Sequence, residues 1–223
     1  MSHTLPTPAA ILFDLDGTLV DSAPDLCGVA NELRESKQLA PLPYTDLRPY
    51  ASKGVRGLLG AAFGITPEHA DYAVLSEHFL QRYAERLALH SRPFEGIALV
   101  IAELRQRNLP WGVVTNKARR FTVPLLDALG LLPMAACVVC GDDVAHIKPA
   151  PDAVLLAAQQ IGCAPQACWF VGDDLRDIQA GHAAGSIGIA AAWGYIDPAV
   201  PIAHWQADCI LDTPQQLLAL LPT

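Results

Sequence analysis

The stretch that decides the fold is Ile11-Leu12-Phe13-Asp14-Leu15-Asp16-Gly17-Thr18-Leu19, close to the N-terminus. The apolar run over residues 9–13 predicts a short buried strand, and Asp14 and Asp16 stand directly at its C-terminal end. Open α/β sheets present their reactive groups at the carboxyl ends of strands, so this position indicates chemistry. Two like charges held close together are costly unless a cation or a proton lies between them. The alternative interpretation is a solvated Asp-Gly turn at a strand end.

Three later apolar runs also end in polar residues. Thr115 and Asn116 follow the run 110–114, and Lys148 comes after the run 135–140. The run 167–171 leads into Gly172-Asp173-Asp174-Leu175-Arg176-Asp177, which is an acidic cluster. Hard divalent cations take oxygen ligands, and Mg²⁺ typically uses one or two carboxylates together with water and phosphate. Each of these later motifs is weak alone, but their order along the chain, each at a predicted strand end, argues against coincidence.

Together these segments resemble the four motifs of the haloacid dehalogenase (HAD) superfamily of phosphoryl-transfer enzymes. The resemblance implies that Asp14 is a nucleophile that becomes an aspartyl-phosphate, and that Asp16 is first the general acid and then the base. It implies that Thr115 hydrogen-bonds the transferring phosphoryl group and that Lys148 neutralises the oxygens of the nucleophile and the phosphate. The physical logic holds without the family: a carboxylate nucleophile divides a difficult hydrolysis into two steps, and a second carboxyl supplies and retrieves the proton.

The resemblance also implies a Mg²⁺ cofactor. We predict that its ligands are Asp14, the backbone carbonyl of Asp16, and Asp173. Asp177 is expected to orient water or Lys148 without binding the metal itself. Asp174 is the alternative metal ligand.

Composition excludes several classes of protein. The 223 residues accommodate one α/β domain or one domain that carries an insertion. A hydrophobic content of 52% with 17% charged residues indicates a packed core and argues against disorder. The net charge of −8 disfavours nucleic acid or an anionic membrane as a partner. No apolar stretch reaches membrane-spanning length and residues 1–10 show no secretory signal, so we expect a cytoplasmic enzyme, monomeric or homodimeric, that acts on a small phosphorylated metabolite.

The pattern along the chain predicts two parts. Residues 21–92 show helical periodicity, with no strand expected before Trp111, so we predict an all-helical cap there. Residues 1–20 and 93–223 are predicted to form a HAD-like α/β core with a doubly wound parallel sheet, because strands and helices alternate after residue 93. Hinges are expected near residues 20–23 and 92–96. Arg48, Lys53 and Arg56 flank the break in the cap and are candidates to face the site, although a solvated helix face explains them equally well.

Within the superfamily, the resemblance over nearly the full chain is to the phosphoglycolate phosphatase branch. Segments 111–117, 171–178, 194–198 and 204–208 resemble the bacterial N-acetylmuramic acid 6-phosphate phosphatases. The implied activity is hydrolysis of a small carboxylate-bearing phosphomonoester, either N-acetylmuramic acid 6-phosphate or 2-phosphoglycolate. Asn116 and the three cap cations are the candidate substrate-binding residues. A phosphosugar mutase of the β-phosphoglucomutase type keeps all four motifs and is the alternative; a non-catalytic phospho-ligand binder is a remote one.

Overall fold

The computed structural model describes residues 5–221. The strands in chain order are β1 (Ala10–Phe13), β2 (Val20–Asp21), β3 (Arg92–Pro93), β4 (Trp111–Val114), β5 (Cys137–Val139), β6 (Cys168–Gly172), β7 (Ile187–Ala191) and β8 (Cys209–Leu211). The α-helices are α1 (Ala23–Ser36), α2 (Tyr44–Leu47), α3 (Gly54–Phe63), α4 (Tyr72–Arg86), α5 (Ile97–Gln106), α6 (Arg119–Ala128), α7 (Asp152–Ile161), α8 (Leu175–Ala183) and α9 (Gln216–Leu220). Short 3₁₀ helices cover Arg48–Lys53, Leu132–Met134, Gly141–Asp143, Pro165–Ala167 and Ile202–His204.

Six strands form one parallel sheet in the order β5-β4-β1-β6-β7-β8. The chain runs outward from β1 to β4 and β5, then returns to the other side of β1 and continues through β6 to β8. The strand order therefore reverses beside β1, and ligand sites of open α/β sheets lie at such a point, beyond the carboxyl ends of the strands. The predicted doubly wound parallel sheet is confirmed.

Alternation along β1 supplies both faces of the sheet with core residues. Ile11 and Phe13 pack into one apolar cluster with α5 and α6, whereas Ala10 and Leu12 pack into another with α7 and α8. All four side chains are essentially inaccessible to solvent. A parallel strand covered on both faces reads as a continuous apolar run, which is why residues 9–13 carry no polar alternation.

The helices α1 to α4 share a second apolar core, which includes Leu33, Leu58, Leu59 and Phe79 and which Phe121 and Tyr195 complete. Helix α4 buries Leu75, Phe79 and Tyr83, as its helical spacing predicts. It begins at Tyr72, directly after residues 67–71, which form turns. The bounds of the cap and of the core stay predictions. Residues 1–4 and 222–223, at the two ends of the predicted core, lie outside the described residues.

The expectation of no strand before Trp111 is wrong. Strands β2 and β3 pair antiparallel, with Val20 opposite Pro93 and Asp21 opposite Arg92. The chain leaves the sheet for the helical segment and returns from it at this point, so the two connections lie side by side and pair. A two-residue strand is too short to show any periodicity in sequence. Among residues 5–221, no helix is both long and apolar enough to cross a membrane.

Candidate active site

The residues predicted at the strand ends meet at one edge of the sheet. Asp14 directly follows β1, Thr115 follows β4 and Asp173 follows β6. Lys148 lies in the loop between β5 and α7. All four are buried. The amide of Asp14 donates to the carbonyl of Val171 at 2.9 Å, so the sheet ladder continues to the nucleophile candidate and fixes its backbone.

Lys148 is the cation that faces this group. Its Nζ donates to Asp14 Oδ1 at 2.7 Å and to the Val114 carbonyl at 3.0 Å, and it lies 2.7 Å from Asp177 Oδ1. These contacts use all three ammonium hydrogens. Burial opposes the charge of Lys148, but the two carboxylates outweigh burial and hold the pKa of Lys148 above its ordinary value. Lys148 therefore stays charged and fixed against Asp14.

Asn116 holds the lysine loop in place. Its Nδ2 donates to the Lys148 carbonyl at 3.0 Å, and its Oδ1 accepts from the Lys148 amide at 2.9 Å. The structure therefore gives Asn116 a positioning contact with Lys148. A substrate contact of Asn116, which also lines the cavity above the site, stays a prediction.

Three buried carboxylates cluster beside Lys148. Asp14, Asp173 and Asp177 each offer an oxygen, and these oxygens lie within 4.8 Å of one another. Burial raises the pKa of both Asp14 and Asp177, although Lys148 opposes the rise. Because Lys148 contacts two of the three carboxylates, ionisation of all three would leave an excess of buried negative charge here.

Asp173 is the member of the cluster whose hydrogen-bond donors are all neutral groups. Its carboxylate accepts hydrogen bonds from Thr18 Oγ1 at 2.8 Å, Ser52 Oγ at 2.8 Å and the Tyr195 amide at 2.9 Å. No cation lies within salt-bridge distance of it among residues 5–221. Burial and the nearby Asp14 raise the pKa of Asp173 to about 7. The cluster thus fits a hard divalent cation with oxygen ligands, and the Asp16 carbonyl adjoins it, since Ser52 Oγ reaches that carbonyl at 3.3 Å.

Asp174, the alternative metal ligand, has other hydrogen-bond partners. It caps α8 by accepting from the Arg176 amide, and the Arg176 guanidinium donates to both of its oxygens at 2.8 and 2.9 Å. Burial opposes ionisation, but Arg176 outweighs it and holds the pKa of Asp174 below its ordinary value. Asp177, in contrast, which was expected outside the ligand set, lies within the carboxylate cluster. Its role and that of Asp174 stay predictions.

Gly17 allows the loop after β1 to press against Asp173. Its φ is +95°, and a Cβ built on it would lie 2.1 Å from Asp173 Oδ2. Both the left-handed backbone and the close approach require glycine.

Asp16 is held by two side chains. Its Oδ1 accepts from Ser22 Oγ, and both of its oxygens accept from Lys117 Nζ, at 2.9 and 3.1 Å. Ser22 occupies the N-cap position of α1, but its hydroxyl bonds Asp16 and makes no cap bond. Lys117 Nζ also donates to the Tyr83 hydroxyl, on α4, at 2.7 Å.

A cavity of about 430 Å³ opens above these residues. Its floor includes Asp14, Asp16, Thr115 and Lys148, and it lies between the sheet edge and the helices α1, α3 and α4. Its apolar wall consists of Leu26, Val55, Phe79, Leu80, Phe121 and Ile147. The space is therefore polar where the carboxylates lie and apolar toward the helices.

The three cap cations have different surroundings. Arg48 donates to the carbonyls of Trp193 and Gly194, and it is not among the residues that line the cavity. Lys53 lines the cavity and pairs with Asp197 at 2.5 Å. Arg56 also lines the cavity, and within residues 5–221 it has no carboxylate within 4 Å.

A model of the haloacid dehalogenase-like hydrolases matches residues 8–185. The chain belongs to this family.

Relatives match this HAD-like hydrolase along nearly its whole length. The N-acetylmuramic acid 6-phosphate phosphatase of Pseudomonas aeruginosa is 42% identical over 212 residues, which are 95% of this chain and 94% of that protein. A phosphoglycolate phosphatase of Xanthomonas campestris pv. campestris is 41% identical over 94% of this chain and 95% of its own. A predicted phosphoglycolate phosphatase from Haemophilus somnus has a similar structure, with a TM-score of 0.85, 27% identity, and coverage of 97% of this chain and 99% of that one. The predicted family, fold and enzyme class are confirmed.

Sequence reasoning missed several residues of this HAD-like hydrolase, among them Lys117, Tyr83 and Arg120. Lys117 donates to Asp16 and to the Tyr83 hydroxyl, and Arg120, from α6, lines the same cavity as Arg56. Lys117 had a usable signal, because it directly follows Thr115-Asn116 at a strand end. Tyr83 and Arg120 had none, since their helical positions match those of ordinary packing or solvated residues.

Proposed function

We propose that this HAD-like hydrolase is a Mg²⁺-dependent phosphatase that forms an aspartyl-phosphate on Asp14. Its preferred substrate is N-acetylmuramic acid 6-phosphate, ahead of 2-phosphoglycolate. The observation that carries the proposal is the buried carboxylate of Asp14, bound at 2.7 Å by Lys148 at the floor of the cavity. Relatives that match almost the whole chain are phosphatases, so phosphomonoester hydrolysis is the activity that the family and the site have in common.

In the first step, a carboxylate oxygen of Asp14 forms a bond to phosphorus as the bond to the leaving oxygen breaks. Asp16 gives its proton to that leaving oxygen. Lys148 offsets the negative charge on the nucleophile and the phosphoryl oxygens, and the Thr115 hydroxyl donates to one of them. Thr115 Oγ1 accepts from the Lys117 amide at 3.1 Å, which leaves its hydrogen for this contact.

In the second step, Asp16 takes a proton from water, the water oxygen bonds to phosphorus, and the bond to Asp14 breaks. Inorganic phosphate leaves and both carboxylates return to their starting states. Asp14, the Asp16 carbonyl and Asp173 would hold Mg²⁺. When bound there, the ion supplies positive charge that the excess of buried carboxylates lacks.

The cavity supports the larger of the two substrates. A volume of about 430 Å³ with an extended apolar wall matches the size of sites for multi-ring or sugar ligands, whereas phosphoglycolate leaves most of it to water. Both substrates carry a carboxylate. Arg56, which lacks a carboxylate partner within 4 Å in the described chain, is the proposed counter-ion, with Lys53 beside it. Asn116 acts on the substrate indirectly, by holding the loop that carries Lys148. Arg48 also acts indirectly, by holding the segment at residues 193–194.

The test is the ratio of kcat/KM for N-acetylmuramic acid 6-phosphate to that for 2-phosphoglycolate, with and without EDTA. We expect a ratio above one, glucose 6-phosphate poorer than either, and loss of turnover in EDTA. A ratio well below one would assign the enzyme to phosphoglycolate. Conversion of β-glucose 1-phosphate to glucose 6-phosphate would assign it to the mutases, and binding without turnover would leave a phospho-ligand binder.

N-acetylglucosamine 6-phosphate isolates the contribution of the carboxylate, because it lacks only the lactyl group. Arg56→Met should lower kcat/KM for N-acetylmuramic acid 6-phosphate about fivefold, as expected for an exposed ion pair of about 1 kcal/mol, and leave N-acetylglucosamine 6-phosphate unchanged. The matched control is Arg82→Met, an exposed arginine on α4 that pairs with Glu85 and does not line the cavity. The cytoplasmic location and the monomeric or homodimeric state stay predictions.

A further inference from the structure

The general acid of the proposed mechanism has a partner that none of the four motifs supplies. Lys117 Nζ donates to both carboxylate oxygens of Asp16, and its third contact is the Tyr83 hydroxyl at 2.7 Å. These three acceptors use all the ammonium hydrogens. The Lys117 side chain is 9% exposed, so the contact lies inside the protein and not at its surface.

Tyr83 holds Lys117 from the opposite side. It is 2% exposed on α4, and Lys117 Nζ lies 4.5 Å from the centre of its ring. The ring also packs against Phe121, on α6, at 5.6 Å between centroids. The lysine thus lies between a carboxylate on the sheet side and an aromatic residue on the helical side, and both restrict it.

The backbone around Asp16 does not by itself fix the direction of the carboxylate. Asp16 lies two residues beyond Asp14, in the turn closed by the Gly17 amide and the Val20 carbonyl at 2.9 Å. Its side chain is placed by Ser22 Oγ on one oxygen and by Lys117 on both. A group that transfers a proton must lie within hydrogen-bond reach of the atom that receives it, so the residue that aims it affects the rate.

We propose that Lys117 is the positioning residue of Asp16 in proton transfer to the leaving group, and that Tyr83 keeps Lys117 in that position. The inference rests on the proposed function, because it takes Asp16 as the general acid. Lys117 touches neither the phosphoryl group nor the reacting oxygen in this role; it acts through Asp16.

The test is the dependence of kcat/KM on the leaving group, measured with phenyl, 4-chlorophenyl and 4-nitrophenyl phosphate. These substrates have nearly the same shape but increasingly stable leaving phenolates, so acid catalysis matters most for phenyl phosphate. Lys117→Met should lose about 10²-fold with phenyl phosphate, the lower end for general acid catalysis, and less than tenfold with 4-nitrophenyl phosphate. Lys117→Arg should recover part of the loss with phenyl phosphate.

Tyr83→Phe should shift the dependence in the same direction by a smaller factor, because it keeps the ring beneath the ammonium and removes only the hydroxyl. Tyr72→Phe is its matched control, since Tyr72 lies on the same helix and does not line the cavity; we expect no change. Circular dichroism and thermal unfolding check that each variant is folded. If Lys117→Met does not fold, Tyr83→Phe and Lys117→Arg carry the test.

The Asp16→Asn variant separates the role of Lys117 from the role of Asp16 as the general acid. If Asp16→Asn steepens the leaving-group dependence and Lys117→Met does so too, the inference is supported. If only Asp16→Asn steepens it, while Lys117→Met loses the same factor with all three substrates, Lys117 is merely structural and the inference is overturned. If Asp16→Asn itself leaves the dependence unchanged, Asp16 is not the acid and the proposed mechanism fails first.

Discussion

Lys148→Met should destabilise the metal-free protein strongly, because Lys148 is the cation among three buried carboxylates. Its Nζ lies 2.7 Å from both Asp14 Oδ1 and Asp177 Oδ1, and its side chain is 3% exposed. Methionine matches the aliphatic part of lysine and adds no polar group. The substitution therefore removes the charge while keeping most of the packing.

The size of the effect follows from what is left behind. Breaking a buried ion pair by removing one partner costs about 3–5 kcal/mol, because the other charge stays buried without compensation. Here two carboxylates lose their counter-ion. In a chain of this size, 1 kcal/mol corresponds to about 2–4 °C in Tm, so Tm should fall by about 6–20 °C.

The assay is urea and thermal unfolding at pH 8 in EDTA, repeated with Mg²⁺ and at pH 5. The deficit of Lys148→Met should shrink with Mg²⁺, which restores positive charge, and at pH 5, where carboxylates whose pKa is raised take up protons. Lys37→Met, on the exposed end of α1, is the control and should change stability by less than about 0.5 kcal/mol. A Lys148→Met protein as stable as wild type in EDTA at pH 8 would refute the reasoning, because the carboxylates would then not depend on Lys148.

Three further outcomes are expected. Asp14→Asn should abolish phosphate release while the free energy of unfolding stays equal or rises, since it removes one of several crowded carboxylates; ordinary turnover without deamidation by mass spectrometry would exclude Asp14 as the nucleophile. Asp173→Ala should raise the Mg²⁺ concentration needed for half-maximal rate more than Asp177→Ala does. The reason is that Lys148 neutralises Asp177, whereas Asp173 accepts hydrogen bonds only from neutral groups. The reverse order in a Mg²⁺ titration would contradict the ligand assignment. In EDTA, the stability of the wild-type protein should fall as pH rises through about 7, because the pKa of Asp173 is raised to about that value in the folded protein. The stabilisation from protonated Asp173 is complete below its ordinary pKa of 3.8 and is lost as the carboxyl ionises. A stability profile that is flat or rising from pH 5 to 8 would show that Asp173 does not contribute in this way.

The strand ends could be predicted because a parallel sheet gathers them. Asp14, Thr115 and Asp173 each follow a continuous apolar run, and runs of this kind pair in parallel with their carboxyl ends at one edge. Lys148 was found by its resemblance to the motif lysine. The convergence of Asp14, Thr115 and Asp173 therefore required only local pattern and sheet topology, whereas Lys148 required the resemblance.

The contacts made by the cap residues could not be predicted in the same way. Arg48, Lys53 and Arg56 lie within nine positions of one another, yet one binds carbonyls near residue 194, one pairs with Asp197 and one faces the cavity. The partners of Arg48 and Lys53 lie about 145 residues away in sequence, so no local pattern specifies them. The Asp16–Lys117–Tyr83 contact is of the same kind, because it depends on how α4 packs against α6.

The central place of β1 in the sheet bears on when this protein can first become active during synthesis. Phe13, at the end of β1, pairs with Val113 on one side and Val171 on the other, so β1 must wait for chain that is made much later. Most of the apolar core of the helices between residues 23 and 86 comes from that segment itself, and Phe121 and Tyr195 join it from later in the chain. Contacts between residues far apart in the chain form late and slowly. We therefore expect a nascent chain whose helical part assembles first, and which gains its activity only after β6 and residue 177 have emerged from the ribosome.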